Sequence, residues 1–153
     1  MSDGSSPALS IVVPVYNEAG NVAPLHAELT NVACALGTSY EIVFVNDGSR
    51  DATLDTLLAR AARDPRLRIV DLDGNFGEAA ALSAGFAHAR GEIVVTLDGD
   101  GQNDPEAIPR LLAALGPDVD VVSGRRCNRK ERFLTRVLPS RVANWLIVQA
   151  TGV

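Results

Sequence analysis

Val94-Val95-Thr96-Leu97-Asp98-Gly99-Asp100-Gly101-Gln102-Asn103-Asp104-Pro105 carries an apolar run into two carboxylates spaced i and i+2 in a glycine-loosened turn. A strand ends here, and hard oxygen ligands gather at its carboxyl end. That is the edge at which an open α/β sheet binds its ligands. Carboxylates so placed suit Mg²⁺ or Mn²⁺ and leave open positions for phosphate oxygens.

The same grammar repeats upstream. Leu9-Ser10-Ile11-Val12-Val13-Pro14-Val15 is a β-rich run ending in Tyr16-Asn17-Glu18, and Tyr40-Glu41-Ile42-Val43-Phe44-Val45 ends in Asn46-Asp47-Gly48-Ser49. Leu67 to Leu72 is a third strand, closed by Asp73-Gly74-Asn75-Phe76-Gly77, and Glu92 to Leu97 is the fourth. Helical patterns fill the gaps. One runs from Asn21 to Leu36 with Gly37 as its stop, and one follows a cap at Ser49 or Asp51 and runs to Arg63. An Ala-rich helix covers Glu78 to Arg90, and one opens at Pro105 and ends near Leu115-Gly116-Pro117. Val119 to Ser123 reads as a fifth short strand and Thr135 to Ala150 as a last helix. Apolar strands alternating with helices predict an α/β fold, a mostly parallel sheet with helices on both faces.

The 153 residues form one domain, with roughly two-thirds of the surface buried on folding. Residues 1–8 are expected to be a loose tail. The two cysteines show no metal spacing, which points to a reduced, cytoplasmic protein. No run approaches ~18 apolar residues, so no spanning helix is predicted. The net charge of −5 conceals an asymmetry: residues 1–120 hold 7 Arg against 18 acids, a net of −11, and residues 121–153 hold 7 Lys and Arg against one acid, a net of +6. In the segment 125–153 the basic residues alternate with Phe133, Leu134, Val137, Leu138, Trp145 and Ile147. A basic amphipathic stretch with a Trp suits a membrane surface, and the acidic body argues against nucleic acid. A solvated basic helix is the plainer alternative.

Asp104-Pro105 is accounted for as a helix cap. Asp98 and Asp100 are not, because like charges so close repel unless a cation compensates; with Gln102 they make the candidate metal site. A calcium EF-hand loop is excluded, since Asn103 and Pro109 stand where it needs Gly and Glu. A haloacid-dehalogenase-type phosphatase shares the Asp-x-Asp-Gly opening, but Gln102 stands at its hydroxyl position and Lys130 is the only lysine. A receiver-type signalling domain wants Lys where Ser123-Gly124 stands. Asp47, at the end of a parallel strand, can accept a nucleobase N–H, and Tyr16 and Glu18 reach the same edge. Three polar strand ends on one rim favour a nucleotide pocket. Asn75-Phe76-Gly77 closes the third strand on the same rim, with a plain turn as the equal alternative, while His26 and His88 lie inside helices and read as structural or surface residues.

Taken in order, Ile11 to Glu18, Val45 to Asp51, Asn75-Phe76-Gly77, Leu97 to Pro105 and Leu134 to Arg141 resemble the nucleotide-sugar domain of family-2 glycosyltransferases with the GT-A fold. The closest likeness is to the polyprenyl-phosphate sugar transferases, the dolichol-phosphate mannose synthase group and its undecaprenyl-phosphate relatives. The resemblance covers Leu9 to the end. It implies that 9–124 is the nucleotide-sugar domain and 125–153 the segment facing acceptor and membrane. It also implies a metal-dependent, inverting transfer from a UDP- or GDP-sugar to a polyprenyl phosphate at the inner face of the membrane.

By position, Pro14, Tyr16, Glu18 and Asp47 would line the base and ribose pocket. Asp98 would help hold the nucleotide sugar, and Asp100 and Gln102 would bind Mg²⁺ or Mn²⁺ on the diphosphate. Arg126, following a Gly-x-Arg pattern through Gly124, would join Arg136 and Ser140 on the lipid phosphate, with Asp98, Asp100 and Arg126 the catalytic set. The family usually has Asp-Asp where this chain has Asn46-Asp47. Its members continue past this length, many into C-terminal membrane helices, so the chain reads as C-terminally truncated. A truncated, non-catalytic nucleotide-binding module is the non-enzymatic alternative.

Overall fold

Four strands lie in one parallel sheet of order β3-β2-β1-β4: β1 Leu9–Val15, β2 Tyr40–Asn46, β3 Leu67–Asp71 and β4 Ile93–Thr96. The coordinates are a computed structural model in which residues 6–116 and 118–124 are described. The chain divides into two units, Met1–Val122 and Ser123–Val153, and the elements below all belong to the first. Between the strands run α1 Ala19–Ala35, α2 Thr53–Ala61 and α3 Glu78–His88. After β4 a 3-10 turn, Pro105–Ala107, leads into α4 Ile108–Ala114.

Side chains alternate across the sheet, as strand geometry requires. Leu9, Ile11, Val13 and Val15 of β1 join Ile42 and Phe44 of β2 on one face, packed with Val22, Leu25 and Leu29 of α1, Leu57 of α2 and Ile108 at the start of α4. Val12, Val43 and Val45 face the other way, onto Ala81 of α3. Gly85 brings that helix close: a Cβ there would sit 2.3 Å from Val12 Cγ1. The Ala-rich composition is what such an approach demands.

The stop at Gly37 and the cap at Asp104 hold: Gly37 follows α1 at φ 68, and Asp104 accepts the Glu106 N–H (2.9 Å) ahead of Pro105. The Ala-rich helix ends earlier than expected, at His88 with Ala89 as its cap. The expected fifth strand is corrected. Residues 119–123 carry no strand, and Val119 and Val121 are 40% and 82% exposed. A β-rich run becomes a strand only where a neighbour takes its N–H and C=O groups, and no described strand pairs with this one. The predicted helix 135–150 lies outside the described residues. Among those described, no helix is long and apolar enough to cross a membrane.

Two acids are buried near the amino ends of the strands. Glu41, 1% exposed, accepts the Ser10 hydroxyl (2.7 Å) and the Arg90 N–H (2.7 Å) at Oε1, and the Arg90 and Arg68 guanidinium groups at Oε2. Burial alone would push its carboxyl up, but the Ser10 hydroxyl and the Arg90 guanidinium outweigh it and hold the group below the usual range. Ser10 Oγ also accepts the Gly91 N–H (2.8 Å), so this network ties the α3–β4 link to β1 and β2. Asp64 takes the Arg66 guanidinium at 2.9 Å and lies 3.4 Å from His26 Nε2. His26 is therefore a buried structural residue, and burial holds its ring below the ordinary value.

Candidate nucleotide and metal site

Because all four strands are parallel, Val15, Asn46, Asp71 and Thr96 end at one rim. The chain leaves β1 toward β2 on one side and returns to β4 on the other. The crevice between the ends of β1 and β4 is thus the topological switch point, the expected ligand position in such a sheet. A cleft of about 350 Å³ opens there.

Six of the sequence-predicted residues meet in it: Pro14, Tyr16, Glu18, Asp47, Asp98 and Asp100. Val15, Asn75, Gly77, Glu78, Ala81 and Gly99 complete the lining. Five of these twelve residues are carboxylates, and none is Lys or Arg. Gln102 is exposed beside the cleft, and its backbone N–H donates to Asp100 Oδ1 (2.9 Å). Arg126, Arg136 and Ser140 lie outside the described residues.

Each side chain reaches the cleft for a local reason. Gly99 is buried against β1, where a Cβ would sit 2.5 Å from Val15 Cγ1 and 2.7 Å from the Pro14 carbonyl oxygen. Only glycine lets the turn pass so close, and Asp98 and Asp100 flank it. Asp47, 4% exposed, accepts the Phe76 N–H at one oxygen (2.8 Å) and the Gly77 N–H at the other (2.9 Å). Asp47 thereby fixes the loop after β3 against the loop after β2. Gly48, at φ 64, lets the two loops touch: a Cβ there would lie 2.4 Å from the Gly74 carbonyl carbon. Asn46 has a reason to depart from Asp. Its amide donates to Asp71 Oδ1 (2.7 Å), where a second carboxylate would meet the first.

Glu78 escaped the sequence reading, which saw only the first residue of a helix. Its position directly after Gly77, on a rim already marked by three loops, was the available signal. The donor set fits a hard divalent cation: two carboxylates on one turn, with room beside them. Among the described residues no group of three or more His, Cys, Asp or Glu is placed to hold a metal. An ion here would therefore complete its shell with substrate oxygens and water, as Mg²⁺ commonly does.

The dodecaprenyl-phosphate galacturonate synthase of Rhizobium johnstonii is 42% identical over 147 residues, covering 95% of this chain and 44% of that protein. The undecaprenyl-phosphate 4-deoxy-4-formamido-L-arabinose transferase of Pseudomonas paraeruginosa is 44% identical over 147 residues, covering 95% of this chain and 43% of that protein. The chain thus spans less than half the length of these curated relatives. Among solved structures, a mannosyltransferase from Pyrobaculum calidifontis in complex with GDP-Man and Mn²⁺ superposes with a TM-score of 0.50 at 32% identity, over 63% of this chain and 28% of that one. S. aureus TarS in complex with UDP-GlcNAc superposes with a TM-score of 0.53 at 26% identity, over 69% of this chain and 30% of that one. The profile of Glycosyl transferase family 2 matches residues 10–151, which sets aside the phosphatase and receiver readings: the chain belongs to glycosyl transferase family 2.

Proposed function

We propose that this chain forms the donor-binding half of a metal-dependent, inverting transferase that moves a sugar from a UDP- or GDP-sugar to a polyprenyl phosphate. The observation that carries the reading is the charge of the cleft: five carboxylates and no basic residue among its described lining residues. A nucleoside diphosphate is itself an anion, so such a cleft accepts it only together with a cation. The named relatives, which act on polyprenyl phosphates, supply the acceptor class.

Pro14, Tyr16, Glu18 and Asp47 would form the wall for base and ribose. Asp98 would hold the sugar side of the donor, and Asp100 with Gln102 would hold Mg²⁺ or Mn²⁺. When bound, the ion supplies neutralisation of the charge that grows on the leaving diphosphate. The acceptor's phosphate is already anionic at neutral pH and attacks without a protein base. What the protein must do is align it, by proximity, and exclude water. Arg126, Arg136 and Ser140 would take the lipid phosphate, with the basic segment 125–153 against the cytoplasmic face of a membrane.

Calorimetric titration with UDP, GDP and their sugars, in Mn²⁺ and then in EDTA, tests the reading. Binding of one base series that vanishes in EDTA is the expected result. Binding that survives EDTA would overturn the metal assignment, and binding of no nucleotide would overturn the donor-half reading for this chain.

A further inference from the structure

Four hydrogen bonds join the loop after β1 to the loop after β2. Asn17 N–H donates to Ser49 Oγ (2.9 Å), and Arg50 N–H returns to Asn17 Oδ1 (2.8 Å). Glu18 N–H donates to Thr53 Oγ1 (2.8 Å), and Ala19 N–H to Asp51 Oδ2 (3.3 Å). The hydroxyl of Thr53 donates in turn to Asp51 Oδ1, which also accepts the Thr53 N–H (3.0 Å). Thr53 is fully buried. A hydroxyl that accepts from one loop while donating to a carboxylate has its rotor fixed from both sides. Asn17 needs such support, since it holds φ 56, a left-handed conformation uncommon outside glycine.

We infer that Thr53, backed by Asp51, is a positioning residue of the cleft, clasping the wall of Tyr16 and Glu18 at a fixed place beside the wall of Asp47. Neither Thr53 nor Asp51 lines the cleft. Both act through the backbone of Glu18 and Ala19. The clasp rests on geometry alone, and its effect on nucleotide rests on the function proposed above. Loop walls held at one spacing lower the ordering cost of a bound ligand, so loss of the clasp weakens binding without removing any contact to it.

Thr53→Val keeps shape and burial and deletes the hydroxyl. Hydrogen exchange followed by mass spectrometry on the full chain should show the amides of Glu18 and Ala19 exchanging roughly tenfold faster, with those of Ile11 and Val12 unchanged. The Kd for UDP or GDP with Mn²⁺, whichever binds, should rise roughly tenfold, as when a supporting residue around a ligand is removed. Thr53→Ser should restore both. If Thr53→Val does not fold, Asp51→Asn, at an exposed position, removes one of two acceptor oxygens and should give the same pattern at smaller size. Unchanged exchange at Glu18 and Ala19 overturns the clasp, whatever binds. Faster exchange with unchanged Kd overturns its function in positioning. Faster exchange in a chain that binds no nucleotide overturns the donor-binding reading and leaves the clasp standing.

Discussion

The two ends of the sheet treat carboxylates in opposite ways. At the amino ends of the strands, Glu41 takes two guanidinium groups and Asp64 takes one. At the carboxyl ends, Asp47, Asp51, Asp100 and Asp104 take backbone N–H groups. A guanidinium cancels a charge, whereas an amide N–H solvates the carboxylate and leaves its charge in place. The first arrangement serves the fold, and under the proposed function the second leaves charge for a cation. Residue type alone thus does not say whether an acid is neutralised; its partner does.

Swapping one acid from each end breaks the comparison cleanly. Glu41→Ala strands the Ser10 hydroxyl and two arginines, and stability should fall by about 3 kcal/mol, the low end for a broken buried pair because the arginines keep partial access to water. Thermal unfolding measures this, and the Kd for nucleotide should stay unchanged in the protein that remains folded. Asp100→Ala should do the reverse. Metal-dependent nucleotide binding weakens by at least about 2 kcal/mol, or roughly 30-fold, while stability stays within about 0.5 kcal/mol at this exposed position. A large loss of stability in Asp100→Ala would erase the distinction between the two ends.

Acid sharpens the contrast by a smaller amount. The folded Glu41 carboxyl lies below its ordinary 4.5. Its contribution is therefore complete above pH 4.5 and is lost as pH falls through the folded value. The stability gap between the unsubstituted chain and Glu41→Ala should narrow on acidification below pH 4.5. A gap constant with pH would show that the network stabilises through shape and neutral hydrogen bonds rather than through charge.

The carboxyl end of the sheet was legible in the sequence and the amino end was not, for one reason. Asp98-Gly99-Asp100 and Asn46-Asp47-Gly48 declare themselves within three residues, because turn chemistry and strand ends are local. The strands of the sheet were equally plain from their apolar runs. Glu41 meets Arg90 across 49 residues and Ser10 meets Gly91 across 81, and nothing local marks either pair. Asp47 shows both cases in one side chain. Its place on the rim follows from the motif, but its grip on Phe76 and Gly77 spans about thirty residues and emerges only from the fold. Val119 to Ser123 failed in the opposite direction, with local propensity and no partner to satisfy it.

β4 is four residues long and, among the described strands, is paired only with β1, whereas β1 runs seven residues between two neighbours. Val94 and Thr96 leave its outer face open. The cleft therefore has walls of unequal stiffness. The wall of Pro14, Tyr16 and Glu18 hangs from a strand paired along both edges. The wall of Asp98 and Asp100 hangs from one whose local opening costs less than unfolding the domain. Denaturant should therefore loosen the turn after β4 before β1 lets go, with the amide of Leu97 exchanging at lower denaturant than that of Val13.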